Sequence, residues 1–339
     1  MSVLQKCWHK NTLLTFVLLP LSWFYCALVM LRGALYRLGV KRMVRLPVPV
    51  VVVGNITVGG TGKTPLVLWL VRFLNQRGYR PGIVARGYRG RSATWPRHVH
   101  PESDPQMTGD EPVLLARNAP CPVVVGPDRA EAAQVLVRED HCDVIVSDDG
   151  LQHYAMARDV EIAVIDGDRR FGNGHCLPAG PLREPLRRLR RVNTRVTNGK
   201  PQAGELGMQL EHLGFRRVDV PGVGKPLTAF AGQRAHAIAG IGNPQRFFDQ
   251  LRALGIEVVE HEFPDHHRFR ESDVRFSDEA PVIMTEKDAV KCKHLVGDRH
   301  WYLAVEARPD PSLGNSVLSL LEQGSATGAG APKGGTCDE

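Results

Sequence analysis

A chain of 339 residues is long enough for two domains with sizeable cores, and 43% hydrophobic with 23% charged residues is ordinary for a globular protein. A net charge of +7 favours anionic partners: a membrane, a nucleic acid or a phosphorylated substrate. Seven scattered cysteines without a C-x-x-C pair argue against a disulfide framework and a zinc site, and fit a reducing compartment.

The first element is apolar. Thr12–Leu31 carries no charged side chain, and twenty helical residues reach about 30 Å, the thickness of a bilayer's hydrocarbon core. Pro20 interrupts the run with a tolerable kink. Trp23 and Tyr25 lie near its middle instead of at its ends, where an aromatic belt belongs, which argues against a plain spanning helix. No clean small-x-small cleavage site follows, so the segment is expected to be retained. Arg32, Arg37, Lys41, Arg42 and Arg45 follow the run, against Lys6 and Lys10 before it, which keeps the body cytoplasmic.

From Pro47 short β-branched runs alternate with helical stretches. Strands are expected at Val48–Val53, Gly82–Ala85, Pro122–Val125, Val144–Ser147 and Glu161–Ile165, with helices at Lys63–Gln76, around Glu111–Asn118 and at Asp128–Glu139. This is the pattern of βαβ units in a mostly parallel sheet. The pattern breaks up between Asp166 and Lys225, where an arginine-rich helix and a β-ribbon around Met208–Leu213 are expected. A second α/β unit follows, with strands at Ala237–Ile241, Glu257–Glu260, Val282–Thr285 and Tyr302–Val305, a helix to Leu254 and a closing helix at Pro311–Glu322. The small, polar tail 324–339 reads as disordered.

Between the first strand and its helix stands TVGGTGKTP (57–65), a phosphate-binding turn with Thr57 in place of the usual first glycine. Gly59 and Gly60 supply permissive backbone, the amides from Val58 through Thr61 and Gly62 to Thr64 can converge on phosphates, Lys63 reaches β/γ oxygens, and the Thr64 hydroxyl suits Mg²⁺. A metal partner belongs at the end of a neighbouring strand, where Asp148 and Asp149 close an apolar run; the alternative is a plain Asp-Gly turn. Asp110 opens a helix either as an N-cap or as a general base for an acceptor hydroxyl. Phe263-Pro264-Asp265-His266-His267 offers two imidazoles that are either surface residues or functional, and it lacks the D-x-D and H-x-H companions of manganese phosphoesterases. Arg183–Arg191 carries five arginines, a solvated face or a contact for lipid phosphate. No aromatic platform or DNA- or RNA-binding motif accompanies them, so no nucleic acid is expected. A guanine-reading [NT]-K-x-D fails at Thr285-Glu286-Lys287-Asp288, and Val58 stands where a partitioning ATPase carries lysine. Transfer to an acceptor molecule is the better reading.

TVGGTGKTP, ARGYRG (85–90), GDEPVLLA (109–116), SDDGLQH (147–153), LPAGPLREP (177–185), GIGNPQRFF (240–248), FPDHHRF (263–269) and TEKDAVK (285–291) occur in the order found in one family. Over residues 10–310 the chain closely resembles the tetraacyldisaccharide 4'-kinases, the lipid A 4'-kinases of Gram-negative bacteria. The resemblance implies transfer of phosphate from ATP, with Mg²⁺, to the 4'-hydroxyl of an acylated glucosamine disaccharide 1-phosphate, giving lipid IVA. It implies an enzyme at the cytoplasmic leaflet of the inner membrane, with no protein partner. It also implies a P-loop core and a smaller α/β domain joined by a β-ribbon. The expected divisions are 1–46 for the apolar helix and basic collar, 47–224 for the core and linker, 225–323 for the second domain and 324–339 for the tail. By motif, Lys63 and Thr64 contact nucleotide and metal, Asp148 and Asp149 bind metal, Asp110 is the base and His266 supports it. Arg183 and Glu184 fall in an active-site motif. Closure of the second domain is expected to bring His266 to Asp110. The competing readings are a P-loop kinase for another lipid or sugar, and a membrane-recruited ATPase switch with a protein partner.

Overall fold

A computed structural model describes Trp8 and residues 10–328. Helix α1 (Leu13–Arg37) precedes a core of β1 (Val50–Gly54), α2 (Lys63–Gln76), β2 (Pro81–Ala85), β3 (Arg97–Val99), α3 (Pro105–Thr108), α4 (Asp110–Asn118), β4 (Val123–Val125), α5 (Arg129–Arg138), β5 (Val144–Asp148) and β6 (Val160–Asp166). Strands β7 (Thr194–Asn198), β8 (Leu206–Arg217) and β9 (Gly224–Lys225) lead to β10 (Arg234–Ala239), α6 (Pro244–Ala253), β11 (Glu257–Glu262) and α7 (Glu271–Val274). Then come β12 (Val282–Thr285), α8 (Glu286–Cys292), β13 (His300–Pro309) and α9 (Ser312–Gly328).

Among the described residues all thirteen strands belong to one sheet, ordered β11-β10-β12-β13-β8-β7-β6-β1-β5-β2-β4-β3 with β9 on β8. Every residue of β1 is buried. Val51 and Val53 pack with Leu66, Val67 and Leu70 of α2 on one face, and Val50 and Val52 with Leu136 and Ile145 on the other. Both faces covered is what a continuous valine run requires, each buried side chain being worth about 1.5–3 kcal/mol. β1 lies parallel between β6 and β5, and Val53 is in register with Asp148. That register sets the turn after β1 beside the carboxylates after β5. The second unit repeats the device with β10 between β11 and β12, all parallel, and separate cores on its two faces.

The irregular stretch is more ordered than its sequence suggests. β7 continues the sheet parallel to β6, and the twelve-residue β8 runs parallel to β7 but antiparallel to β13, so it splices the two units. The expected arginine-rich helix is a short 3-10 segment, Leu186–Arg191. Two of its motif's arginines turn inward: Arg183 meets Asp149, and buried Arg188 pairs with Glu161. The closing helix extends past Glu322 to Gly328, so 324–328 are helical; the disorder expected for 329–339 falls outside the described residues.

α1 continues through Pro20 and lies against the body. Ser22 is buried and its hydroxyl donates to the Cys176 carbonyl (2.7 Å), Tyr25 donates to the Arg183 carbonyl (3.1 Å), and Gly33 faces Tyr154. Its other face exposes Leu13, Phe16, Val17, Leu21, Trp23, Phe24, Leu28 and Leu31. Within the basic collar Arg45 is engaged with Asp159 at 2.7 Å.

Candidate active site

The turn after β1 is held from several sides. Gly59 (φ 98°) and Gly62 (φ 94°) take the left-handed backbone that only glycine adopts without strain. A Cβ on Gly62 would stand 3.0 Å from Asn198 Nδ2 and 3.1 Å from Met208 Cε. Gly60 is not left-handed, and a Cβ there would meet no atom within 4 Å, which leaves its backbone open to close approach. Asn55 Nδ2 donates to the Gly59 carbonyl (3.4 Å) and to Thr61 Oγ1 (3.3 Å), Asn198 donates to the Thr61 carbonyl (3.4 Å), and Arg169 caps the Gly60 carbonyl. Thr57 is buried and bridges to Leu182. The Val58 amide donates to the Pro181 carbonyl (2.9 Å), so Val58 does not belong to the phosphate cradle as the sequence suggests.

α2 begins at Lys63, so its free amides and dipole point into the turn. Lys63 Nζ stands 3.6 Å from Asp149 Oδ1, and Arg183 Nη1 donates to Asp149 Oδ2 at 2.8 Å. Asp149 is left-handed (φ 49°), with its carbonyl accepting from buried Arg129 at 2.8 Å. This is more than a plain Asp-Gly turn. Burial would raise the Asp149 carboxyl, but Lys63 and Arg183 outweigh it and hold the group down to about 2. Its neighbour behaves oppositely: burial, aided by Glu111, pushes Asp148 up to about 7 against the pull of Lys63. Asp148 Oδ1 and Asp149 Oδ1 are buried without hydrogen-bond partners. Two such oxygens suit a hard cation. Among the described residues no group of three or more His, Cys, Asp or Glu forms a metal cluster.

The second cluster joins the two units. Gly109 (φ 93°) takes the N-cap position of α4, which frees Asp110, in the first turn, from capping. The Asp110 carboxylate accepts from the Glu111 amide (3.0 Å), and His266 Nδ1 stands 2.9 Å from its Oδ2 and 3.2 Å from Oδ1. The two are already in hydrogen-bond contact, so no closure is needed to bring them together. Burial would raise Asp110, but the His266 hydrogen bond and the Lys287 ammonium dominate and hold it down to about 2. His266 is itself left-handed (φ 63°), flanked by Tyr88 edge-on and by His267, whose Nε2 is 3.0 Å from Asp273. Elsewhere a Cβ on Gly242 would lie 3.7 Å from Gly59 Cα and Gly60 N, so the second unit also touches the phosphate loop.

Glu184 is 2% exposed and turned inward: it accepts from Gln152 (2.8 Å) and Tyr154, and Gln152 also donates to the Asn55 carbonyl (2.9 Å). Through Gln152 it is linked to the base of the loop. Sequence reasoning missed Asn55, Arg129, Arg169, Asn198 and Lys287. Of these, Lys287 alone lay within a motif already singled out.

The description "Tetraacyldisaccharide-1-P 4'-kinase" matches residues 14–322. The chain belongs to the tetraacyldisaccharide-1-P 4'-kinase family. Relatives named tetraacyldisaccharide 4'-kinase include one from Nitrosococcus oceani, 51% identical over 322 residues (95% of each chain). Another, from Alkalilimnicola ehrlichii, is 55% identical over 301 residues, 86% of this chain and 88% of its own. A crystal structure of LpxK from Aquifex aeolicus in complex with ATP superposes with a TM-score of 0.78 at 28% identity, covering 91% of this chain and all of that one.

Proposed function

We propose that this chain transfers the γ-phosphate of ATP to the 4'-hydroxyl of tetraacyldisaccharide 1-phosphate, forming lipid IVA. The observation that carries this reading is the convergence of two differently equipped clusters. A phosphate loop with Lys63 stands beside the carboxylates of Asp148 and Asp149, and Glu111, next to the Asp110–His266 pair, is near enough to Asp148 to raise its carboxyl. Phosphoryl transfer needs charge neutralisation and alignment more than covalent chemistry. The loop amides from Gly59 onward and Lys63 bind the phosphates. Thr64, Asp148 and Asp149 would hold Mg²⁺, which neutralises phosphoryl oxygens. Asp110 takes the hydroxyl proton, His266 orients its carboxylate, and Arg183 keeps Asp149 ionised and in place.

The two lobes are read as 47–224 and 225–323, with α1 and its collar (1–46) as the membrane element. α1 lies in the cytoplasmic interface of the inner membrane with its apolar face toward lipid, because the opposite face is bonded to the body at Ser22 and Tyr25. The acylated acceptor is then met where it resides, and the collar adds attraction to the anionic leaflet.

The test is transfer of labelled γ-phosphate from Mg-ATP to tetraacyldisaccharide 1-phosphate in detergent micelles. Lys63→Ala is expected to cut labelling about 10²–10³-fold, the usual cost of one charge-stabilising donor. ATP hydrolysis with an unlabelled lipid would overturn the assignment in favour of an ATPase switch.

A further inference from the structure

Lys287 is a cation in an unfavourable place. It sits in the first turn of α8, behind the N-cap Thr285, where the helix dipole disfavours positive charge. Its side chain is only 17% exposed. The ammonium is nonetheless committed to three groups on two other segments at once. Nζ lies 3.0 Å from Glu111 Oε1 on α4, 3.3 Å from Asp265 Oδ1, and 3.4 Å from His266 Nε2. Burial would lower its proton affinity, but Glu111, Asp110 and Asp265 outweigh that and hold the lysine above its ordinary range, so it stays protonated.

A protonated lysine has three donors and no acceptor. Nε2 of His266 can therefore meet it only with a lone pair, and the single ring proton must then reside on Nδ1, the nitrogen facing Asp110. We propose that Lys287 is a positioning residue that keeps Nε2 of His266 unprotonated and its ring proton on Nδ1, so that the imidazole donates to Asp110 and keeps its carboxylate aimed. A proton on Nε2 would face the ammonium. The groups around the ring agree with this assignment. Asp110 faces Nδ1 from α4, Lys287 faces Nε2 from α8, and Tyr88 meets the ring edge-on at 5.5 Å. Asp265 Oδ2, 3.8 Å from Nε2, is the one group that would favour a proton there, and its Oδ1 is engaged by Lys287. Arg89 reaches the Asp265 carbonyl at 3.5 Å and does not face the ring.

The proposal rests on the phosphoryl-transfer reading for its catalytic consequence: the acceptor hydroxyl's O–H bond breaks and its proton passes to the Asp110 carboxylate, while its oxygen bonds the γ-phosphorus of ATP as the bond from that phosphorus to ADP breaks and ADP leaves. The tautomer itself does not depend on that reading. With the full chain in detergent micelles, ¹⁵N-labelled histidine spectra report which ring nitrogen carries the proton, and His266→Gln identifies the His266 signals among 13 histidines. Wild type is expected to show Nδ1–H with an unprotonated Nε2. Lys287→Met is expected to free Nε2 of His266 to take a proton, so that its signal moves toward that of a protonated nitrogen while Nδ1 keeps its proton opposite Asp110. It should also lower kcat about 10–100-fold, part of what a general base supplies, with KM for Mg-ATP nearly unchanged and the acid limb of the kcat profile displaced to higher pH. Lys287→Gln, which retains a neutral donor, should recover part of the loss. An Nε2–H tautomer in wild type overturns the proposal, as does an unchanged His266 signal in Lys287→Met. The wild-type spectrum decides the matter even if a variant does not fold. A wild type with the stated tautomer but no labelled lipid supports the positioning role and sinks the functional reading alone.

Discussion

Asp110→Asn is expected to lower turnover about 10²–10⁴-fold, the range that a positioned general base contributes. The substitution keeps the shape of the side chain, and an amide oxygen still accepts from the Glu111 backbone N–H that now meets the carboxylate at 3.0 Å. What is lost is the capacity to take a proton. KM for Mg-ATP should move little, because Asp110 belongs to the cluster opposite the phosphate loop. His266→Ala should act on the same step. Since the imidazole works through the carboxylate, the double variant should be scarcely worse than Asp110→Asn alone. Steady-state kinetics on the three variants decide this. If each single variant kept turnover within about threefold of wild type, under about 1 kcal/mol of barrier, the pair would not be the base. The same substitution carries a pH signature. Burial raises the Asp110 carboxyl, but His266 and Lys287 hold it down to about 2, below its value in the unfolded chain. The stabilisation it brings is complete above the unfolded pKa of about 4 and fades as pH falls through the folded value. The gap in Tm between wild type and Asp110→Asn should therefore narrow on acidification from about pH 5.

Much of this was legible before any coordinates. The order of strands and helices in the first half follows from β-branched runs alternating with helical stretches, and α2 begins and ends where the sequence places it. That Lys63 comes to lie beside the carboxylates after β5 was legible because a strand–turn–helix with Gly-Lys-Thr faces the end of a neighbouring parallel strand. β7 was missed because Thr194–Asn198 is polar and partly exposed at its start, so no apolar run marks it. Val58 was misjudged because a local motif does not reveal that Pro181, some 120 residues on, takes its amide. Glu184 and Arg188 read as site or surface charges for a similar reason. Their partners, Tyr154, Gln152 and Glu161, come from other segments, and pairing is what permits their burial. The Lys287 contacts, which reach back to Glu111, are likewise a property of the packing and not of any spacing.

Replacing Trp23 and Phe24 together with serine is expected to weaken partitioning onto anionic vesicles about 10²–10⁴-fold. The two side chains are 65% and 61% exposed on the apolar face of α1, and withdrawing each from water is worth about 1.5–3 kcal/mol, so losing both removes about 3–6 kcal/mol. Ser22→Ala and Tyr25→Phe supply the contrast. They delete the bonds to the Cys176 and Arg183 carbonyls, each worth about 0.5–1.5 kcal/mol, and should lower Tm while leaving partitioning unchanged. The separation of the two effects follows from the helix geometry. Thr15, Ser22 and Gly33 recur on one stripe against the body, while the bulky apolar side chains project away from it. A helix crossing the bilayer would have to give up that stripe and carry Ser22 and Tyr25 into hydrocarbon without their partners. Vesicle co-sedimentation of the two pairs reads the difference. Loss with the serine pair alone places α1 along the interface. Equal loss with both pairs would mean that the helix leaves the body when it meets lipid, and the Arg183 anchor beside Asp149 would then depend on the membrane.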